Sequence, residues 1–216
     1  MVDIAVIDYG MGNLRSVHNA LRTVAPKVSV EVTSDPAVVA QAGRVVFPGQ
    51  GAMPDCMREL DARGLRKVVL DAAKSKPFLG ICIGLQMLFE HSAEGDVRCL
   101  EILPGEVVRF PHDLLDTQGN RLKVPHMGWN QVHQASTNHE SHPMWQGIAQ
   151  DERFYFVHSY YVQPADKKWV QAESNYPAPF VCAMARANLF AVQFHPEKSQ
   201  TAGLQLLKNF VSWNPV

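Results

Sequence analysis

Pro77-Phe78-Leu79-Gly80-Ile81-Cys82-Ile83-Gly84-Leu85-Gln86 decides how the rest of the chain is read. Residues 77–81 form an apolar run that predicts a buried strand, and helical periodicity resumes from Gly84 through Phe89. A cysteine at such a junction sits on a sharp elbow above the sheet edge, and glycines two residues to either side relieve the crowding of the turn. The start of a helix beside the sulfur favours the thiolate. It also offers a backbone N–H, that of Ile83, to a developing oxyanion. Cys82 is the candidate nucleophile.

Upstream, the same strand-then-helix rhythm recurs. Val2–Asp8 is apolar, interrupted by two acids and preceded by no basic region, so it predicts a buried strand and not a signal peptide. Leu14, Val17, Leu21 and Val24 then recur at helical spacing, with Asn13 at the N-cap. Lys27–Thr33 alternates as a strand. Arg44–Phe47 is a short strand ending at Pro48-Gly49-Gln50-Gly51, and a helical stretch runs from about Asp55 to Lys74 with a break at Gly64. Such alternation indicates βαβ units and a mostly parallel sheet.

Downstream of Leu100 the pattern changes. Gly105–Phe110, Arg153–Tyr161, Trp169–Ala172 and Leu189–Phe194 read as strands separated by turns, added antiparallel to the same sheet with a few hairpins over one edge. Thr201–Trp213 reads as an amphipathic helix with Leu204, Leu207, Phe210 and Val211 on one face. Gln134–Gln150 reads as a surface loop. The expected fold is α/β: a single domain over residues 1–216, with a mixed, mostly parallel central sheet flanked by helices and extended by antiparallel strands.

A nucleophilic thiolate needs a base and a group to orient it. His195-Pro196-Glu197 follows the strand Leu189–Phe194, and functional groups gather beyond the carboxyl ends of parallel strands. Pro196 restricts the backbone between them, so Glu197 is placed to hold the His195 imidazole in one tautomer. The glycines of Pro48-Gly49-Gln50-Gly51 permit close backbone approach to a ligand, and Gly49 is placed to supply a second oxyanion N–H. Gly10-Met11-Gly12 lacks the third glycine of a dinucleotide fingerprint.

Composition narrows the function further. Among 216 residues, Lys and Arg number 20 against 21 Asp and Glu, which excludes a general nucleic-acid binder. No apolar run is long enough to span a bilayer. The four cysteines, Cys56, Cys82, Cys99 and Cys182, form no C-x-x-C pair, so a reducing cytoplasm is the expected setting. His139 and His142 have metal-like spacing, but no Cys or acid cluster completes a site, and a solvated loop is the reading preferred.

Together, Gly80–Gln86, Pro48–Gly51 and His195–Glu197 resemble the motifs of the class I glutamine amidotransferases, and their order along the chain matches. Pro125-His126-Met127-Gly128-Trp129-Asn130, Tyr155–Tyr161 and Ile7–Leu14 look like the glutaminase subunits of imidazole glycerol phosphate synthases. Relatives serving anthranilate or nucleotide synthesis carry the cysteine and H-x-E motifs without P-H-M-G-W-N. The resemblance implies a Cys82–His195–Glu197 triad that hydrolyses glutamine without metal or cofactor. It implies a substrate site at Gly51, Gln86, His158, Ser159 and Tyr160, with a structural strand as the competing reading for the last three. It also implies a cyclase partner, a (β/α)8 barrel forming a heterodimer with this chain. Asn13, Trp129 and Lys198 would lie on that face, where an aromatic and a lysine make a cation–π contact at the ammonia exit. Gln50 departs from the small apolar residue frequent in the family, which bears on how the oxyanion strand is held. A glutaminase for another amination pathway, a non-catalytic scaffold and a partnerless cysteine hydrolase are the alternatives. The intact triad speaks against the scaffold.

Overall fold

The computed structural model describes residues 2–116, 118–135 and 142–215. The first half runs β1 (Ile4–Ile7), α1 (Leu14–Val24), β2 (Val30–Thr33), α2 (Pro36–Gln41), β3 (Arg44–Gly49), α3 (Met53–Ala62), α4 (Arg66–Ser75), β4 (Phe78–Cys82) and α5 (Ile83–Gln86). The second half is strand-rich: β5 (His91–Ser92), β6 (Val97–Arg98), β7 (Gly105–Arg109), β8 (His126–Gln131), β9 (His133–Gln134), β10 (Arg153–His158), β11 (Tyr160–Pro164), β12 (Val170–Asn175), β13 (Pro179–Arg186) and β14 (Leu189–Val192), closed by α6 (Gln200–Ser212).

The main sheet runs β2-β1-β3-β4-β14-β13-β11-β7-β5-β6, with β12 against β13 and β9 against β12. From β2 to β14 every pairing is parallel, and β14 is the pivot, parallel to β4 and antiparallel to β13. Successive residues of the parallel strands go to opposite faces. Ala5, Ile7, Val45 and Phe47 join a core with α3 and α4, while Ile4, Val6, Val46 and Leu79 join a second core with α1 and α6. Burial on both faces explains why these strands read as unbroken apolar runs. The expected α/β architecture is the one observed.

Several local expectations need correction. Arg153–Tyr161 is two strands, not one: it breaks at Ser159, where the chain passes from β10 to β11. β10 is not an addition to the main sheet. It pairs antiparallel with β8 as a separate two-stranded ribbon, Phe156 opposite Gly128. The helix after Cys82 is a single turn, because tight turns follow it and the Met87 carbonyl is taken by Leu100 N–H. On α6 the buried face is Gly203, Leu206, Leu207, Asn209 and Phe210, rotated from the one expected. Gly203 fits against the Pro196 carbonyl, where a Cβ would lie 1.9 Å away, and Asn209 Nδ2 donates to the carbonyls of Met144 and Gln146. Within the expected surface loop, Met144 and Trp145 are buried in the core. His142 packs on Phe190 and Trp213, so the solvated reading fails for it; burial pushes its imidazole down to about 4. His139 lies outside the described residues.

Candidate active site

Sheet register brings the distant motifs together. β4 lies between β3 and β14, with Gly49 opposite Cys82 on one side and Val192 opposite Ile81 on the other. The chain leaving β14 therefore delivers His195 beside the residue that ends β4.

Cys82 has φ 56° and ψ −111°, a conformation that costs a non-glycine residue about 1–3 kcal/mol. Packing around two glycines holds it there. A Cβ on Gly84 would lie 1.9 Å from the Phe47 carbonyl oxygen, so the turn of α5 rests directly on β3. A Cβ on Gly49 would meet Tyr9 Oη at 1.8 Å and Ile83 Cγ2 at 2.4 Å. Gly49 and Ile83 thus approach each other closely next to the sulfur. As the first residue of a helix, Ile83 has an N–H with no intrahelical acceptor.

His195 and Glu197 are joined by a 2.8 Å bond from Nδ1 to Oε1, with side chains only 2% and 1% exposed. A carboxylate only accepts, so Nδ1 carries the proton and Nε2 is left facing away from Glu197. Pro196–Lys198 is a 3-10 turn and not extended chain, and the imidazole meets its acid across that turn. His195 N–H donates to the Tyr155 carbonyl at 2.9 Å, tying the histidine to the β8–β10 ribbon. Burial favours the neutral imidazole, but the Cys82 sulfur and then the Glu197 carboxylate outweigh it and raise its pKa to about 10. His195 Nε2 has no hydrogen-bond partner among the described residues.

A cavity of about 420 Å³ opens over these groups, within the size of small-molecule sites. Gly51, Cys82, Gln86, His158, Ser159, Tyr160 and His195 all line it. Gln86 spends both amide N–H bonds internally, on the Tyr160 carbonyl (2.9 Å) and Gln193 Oε1 (3.0 Å), so only its oxygen remains for a ligand. His158 is likewise engaged: Nδ1 donates to the Tyr160 carbonyl at 2.8 Å. It lines the cavity as a wall.

A family model for class I glutamine amidotransferases matches residues 5–213. The chain belongs to that family. It is 68% identical over 216 residues, covering both chains in full, to the imidazole glycerol phosphate synthase subunit HisH of Aromatoleum aromaticum. It is 66% identical to the subunit of the same description in Thiobacillus denitrificans, over 99% of this chain and 92% of the relative. A solved structure described as PurLQS from Thermotoga maritima superposes with a TM-score of 0.69 at 16% identity, over 98% of this chain and 99% of that one, which bears on the fold alone.

In this amidotransferase the three residues expected on the partner face have definite surroundings. Asn13 caps α1, its Oδ1 accepting from Ser16 N–H at 3.4 Å. Lys198 lines the cavity, but the ring under its ammonium is Tyr155, 5.8 Å from Nζ, and not Trp129. Trp129 stands edge-on to Tyr155 and is 43% exposed. Within this chain the cation–π contact of Lys198 is therefore with Tyr155.

Two residues of the amidotransferase site are not among those expected from sequence. Glu94 lines the cavity while its Oε2 accepts from Met53 N–H, and no periodicity marks it. Gln193 donates from Nε2 to the Cys82 sulfur at 3.8 Å, and its alternation with His195 is the one signal of it in the sequence. The other cysteines differ from Cys82 in place: burial pushes Cys56 up to about 12, Cys99 up to about 11 and Cys182 well above the ordinary thiol range. No helix among the described residues is long and apolar enough to cross a membrane.

Proposed function

We propose that this chain is the glutaminase subunit of an imidazole glycerol phosphate synthase. It would work in a cytoplasm that keeps its four cysteines as thiols, and pass ammonia to a (β/α)8-barrel cyclase in a heterodimer. The observation that carries the chemistry is the emergence of Cys82 and His195 side by side from adjacent parallel strands, with Glu197 on the far imidazole nitrogen. The two relatives at 66% and 68% identity support the pathway.

Cys82 attacks the side-chain carboxamide carbon of glutamine as the thiolate. The oxyanion is received by the N–H of Ile83 and by the backbone at Gly49. His195 gives a proton to the departing nitrogen, and ammonia leaves a glutamyl thioester. Water then attacks that carbon, His195 takes its proton, the C–S bond breaks, and glutamate is released. The acid on the cavity wall, Glu94, suits the substrate ammonium. Gly51 and the Ser159–Tyr160 backbone receive the α-carboxylate, and the Gln86 oxygen accepts from a substrate N–H. The ammonia reacts at the partner with a phosphoribulosyl-formimino carboxamide ribonucleotide, giving imidazole glycerol phosphate and an aminoimidazole carboxamide ribonucleotide. Met127 and Trp129, 62% and 43% exposed on one side of β8, offer the partner an apolar face, with Lys198 reached from Trp129 through the Tyr155 ring.

The test is glutamine hydrolysis by the purified chain alone, then with a histidine-pathway cyclase subunit and its nucleotide ligand. Hydrolysis is expected to rise strongly in the complex and to vanish in Cys82→Ala, while complex formation persists. A response to a different synthase and none to the cyclase would refute the pathway. Full activity in Cys82→Ala would refute the mechanism.

A further inference from the structure

A chain of hydrogen bonds links the exposed ribbon to the sulfur, and each proton in it is assigned by its neighbour. The Tyr160 carbonyl only accepts, so His158 Nδ1 is the donor to it at 2.8 Å. His158 Nε2 must then accept from His126 Nδ1, 2.9 Å away. His126 Nε2 in turn accepts from Asn130 Nδ2 at 3.2 Å, and the other Nδ2 proton goes to the Asn175 carbonyl at 2.8 Å. On its other side the Tyr160 carbonyl receives Gln86 Nε2. Gln86 also donates to Gln193 Oε1, and Gln193 Nε2 points at Cys82 Sγ.

Burial favours neutral imidazoles in this chain: His126 is pushed down to about 4 and His158 to about 3. Neutrality is what the assignment needs, since a protonated ring would turn an acceptor nitrogen into a second donor facing a donor. His126 is also clamped between the rings of Phe156 and Tyr176, with centroids 5.0 and 4.1 Å away. Gln193 is fully buried. Its amide cannot flip, because the reversed group would set its N–H bonds against those of Gln86.

We propose that Gln193 is a positioning residue for the Cys82 nucleophile, held in its donor orientation by Gln86, Tyr160, His158, His126 and Asn130. Its N–H stabilises negative charge on the sulfur. The Val157 carbonyl of β10, 4.0 Å from Sγ, can receive only the protonated thiol. The two groups select between states of the sulfur, and Gln193 favours the reactive one. The P-H-M-G-W-N motif thereby acquires an inward role, because its His126 and Asn130 anchor the remote end of the chain.

This inference rests on Cys82 being the nucleophile, and its test is separable from that reading. Gln193→Met keeps the side chain's length and removes both the donor to Cys82 and the acceptor for Gln86. Alkylation of Cys82 by iodoacetamide at neutral pH, followed by mass spectrometry of its peptide, needs neither glutamine nor a partner. The rate is expected to fall about tenfold, the effect of losing one hydrogen bond to a charged acceptor. In the complex kcat falls by a similar factor while KM for glutamine stays within about twofold; the urea midpoint also drops, because the Gln86 N–H loses its buried acceptor. His126→Phe preserves the ring stack and leaves His158 Nε2 without a donor; it shows the same pattern more weakly, and it carries the test should Gln193→Met fail to fold. Wild-type alkylation rates in a folded variant overturn the proposal, as does a loss seen only in KM. If Cys82→Ala is inactive while Gln193→Met alkylates normally, the positioning role alone falls.

Discussion

Glu197→Gln separates two things the acid does for His195. The bond from Nδ1 to Oε1 is 2.8 Å and shielded from water. Losing a hydrogen bond between charged groups costs about 1.5–3 kcal/mol, which is roughly 10- to 100-fold in rate. Glutamine does more harm than that. Its amide N–H can donate to Nδ1, which moves the imidazole proton to Nε2, the nitrogen that must accept from water. In serine-protease triads that tautomer inversion lowers kcat about 10⁴-fold. Glu197→Ala only removes the acceptor and leaves the ring free to choose. The more conservative substitution is therefore expected to be the worse one, with kcat lower in Glu197→Gln than in Glu197→Ala by about tenfold or more. Loss of the carboxylate also removes a group that raises the imidazole pKa, so the alkaline limb of the pH–rate profile moves to lower pH in both variants. Steady-state hydrolysis in the complex, followed from neutral pH up through the alkaline limb, reads both effects. Equal kcat values in the two variants, or an unmoved alkaline limb, would refute the reasoning.

Other consequences can be checked the same way. Gly84→Ala places a Cβ 1.9 Å from the Phe47 carbonyl; α5 must shift to make room, costing about 1–3 kcal/mol of stability and about 10²-fold in kcat. An unchanged urea midpoint together with unchanged kcat would contradict that packing. His126, His142 and His158 are depressed from 6.5 to about 4, 4 and 3 by burial. The unfolded chain therefore binds more protons than the native one below pH 6.5, and stability falls as pH drops from there toward about 4, each pH unit by which an imidazole is depressed contributing about 1.4 kcal/mol at most. His195 has the opposite sign: its contribution is full below pH 6.5 and is lost as pH rises through about 10. Urea midpoints should peak near neutrality and drop steeply by about pH 5; a flat profile over that range would count against the buried imidazoles. Trp129→Ala is expected to uncouple product formation from hydrolysis more than it slows hydrolysis, and equal losses of both would deny it a place on the ammonia path.

The legible part of the site is the part set by local backbone chemistry. Cys82 between Gly80 and Gly84, and His195 after an apolar strand, are constrained by the turn and the strand they occupy, and those constraints appear in neighbouring letters. What stays hidden depends on pairing across the chain. Gln86 reads as a residue facing a ligand, yet its N–H bonds are taken by Tyr160 and Gln193, a fact that exists only once β11 and β14 are in place. β8 reads as a motif and not as a strand because its exposed positions include Met127 and Trp129, the reverse of the usual alternation. The buried face of α6 cannot be placed by hydrophobicity, because a glycine and an asparagine, Gly203 and Asn209, outrank Leu204 and Val211 there; close approach and carbonyl capping decide it.

The placement of β10 explains why the ribbon and the chemistry belong together. Its Tyr155 carbonyl holds the His195 backbone, its Val157 carbonyl faces the Cys82 sulfur, and the Tyr155 ring meets both Lys198 and Trp129. One strand therefore touches His195, Cys82 and the exposed apolar face. Among the described residues it ladders with β8 alone, so a small displacement of the ribbon breaks no ladder bond of the main sheet. The parallel strands that carry Cys82 and Gly49 are instead locked on both sides. Trp129 is thus connected to His195 and Cys82 through one strand that lies outside the ladder of the main sheet, while the elbow at Cys82 is held within it.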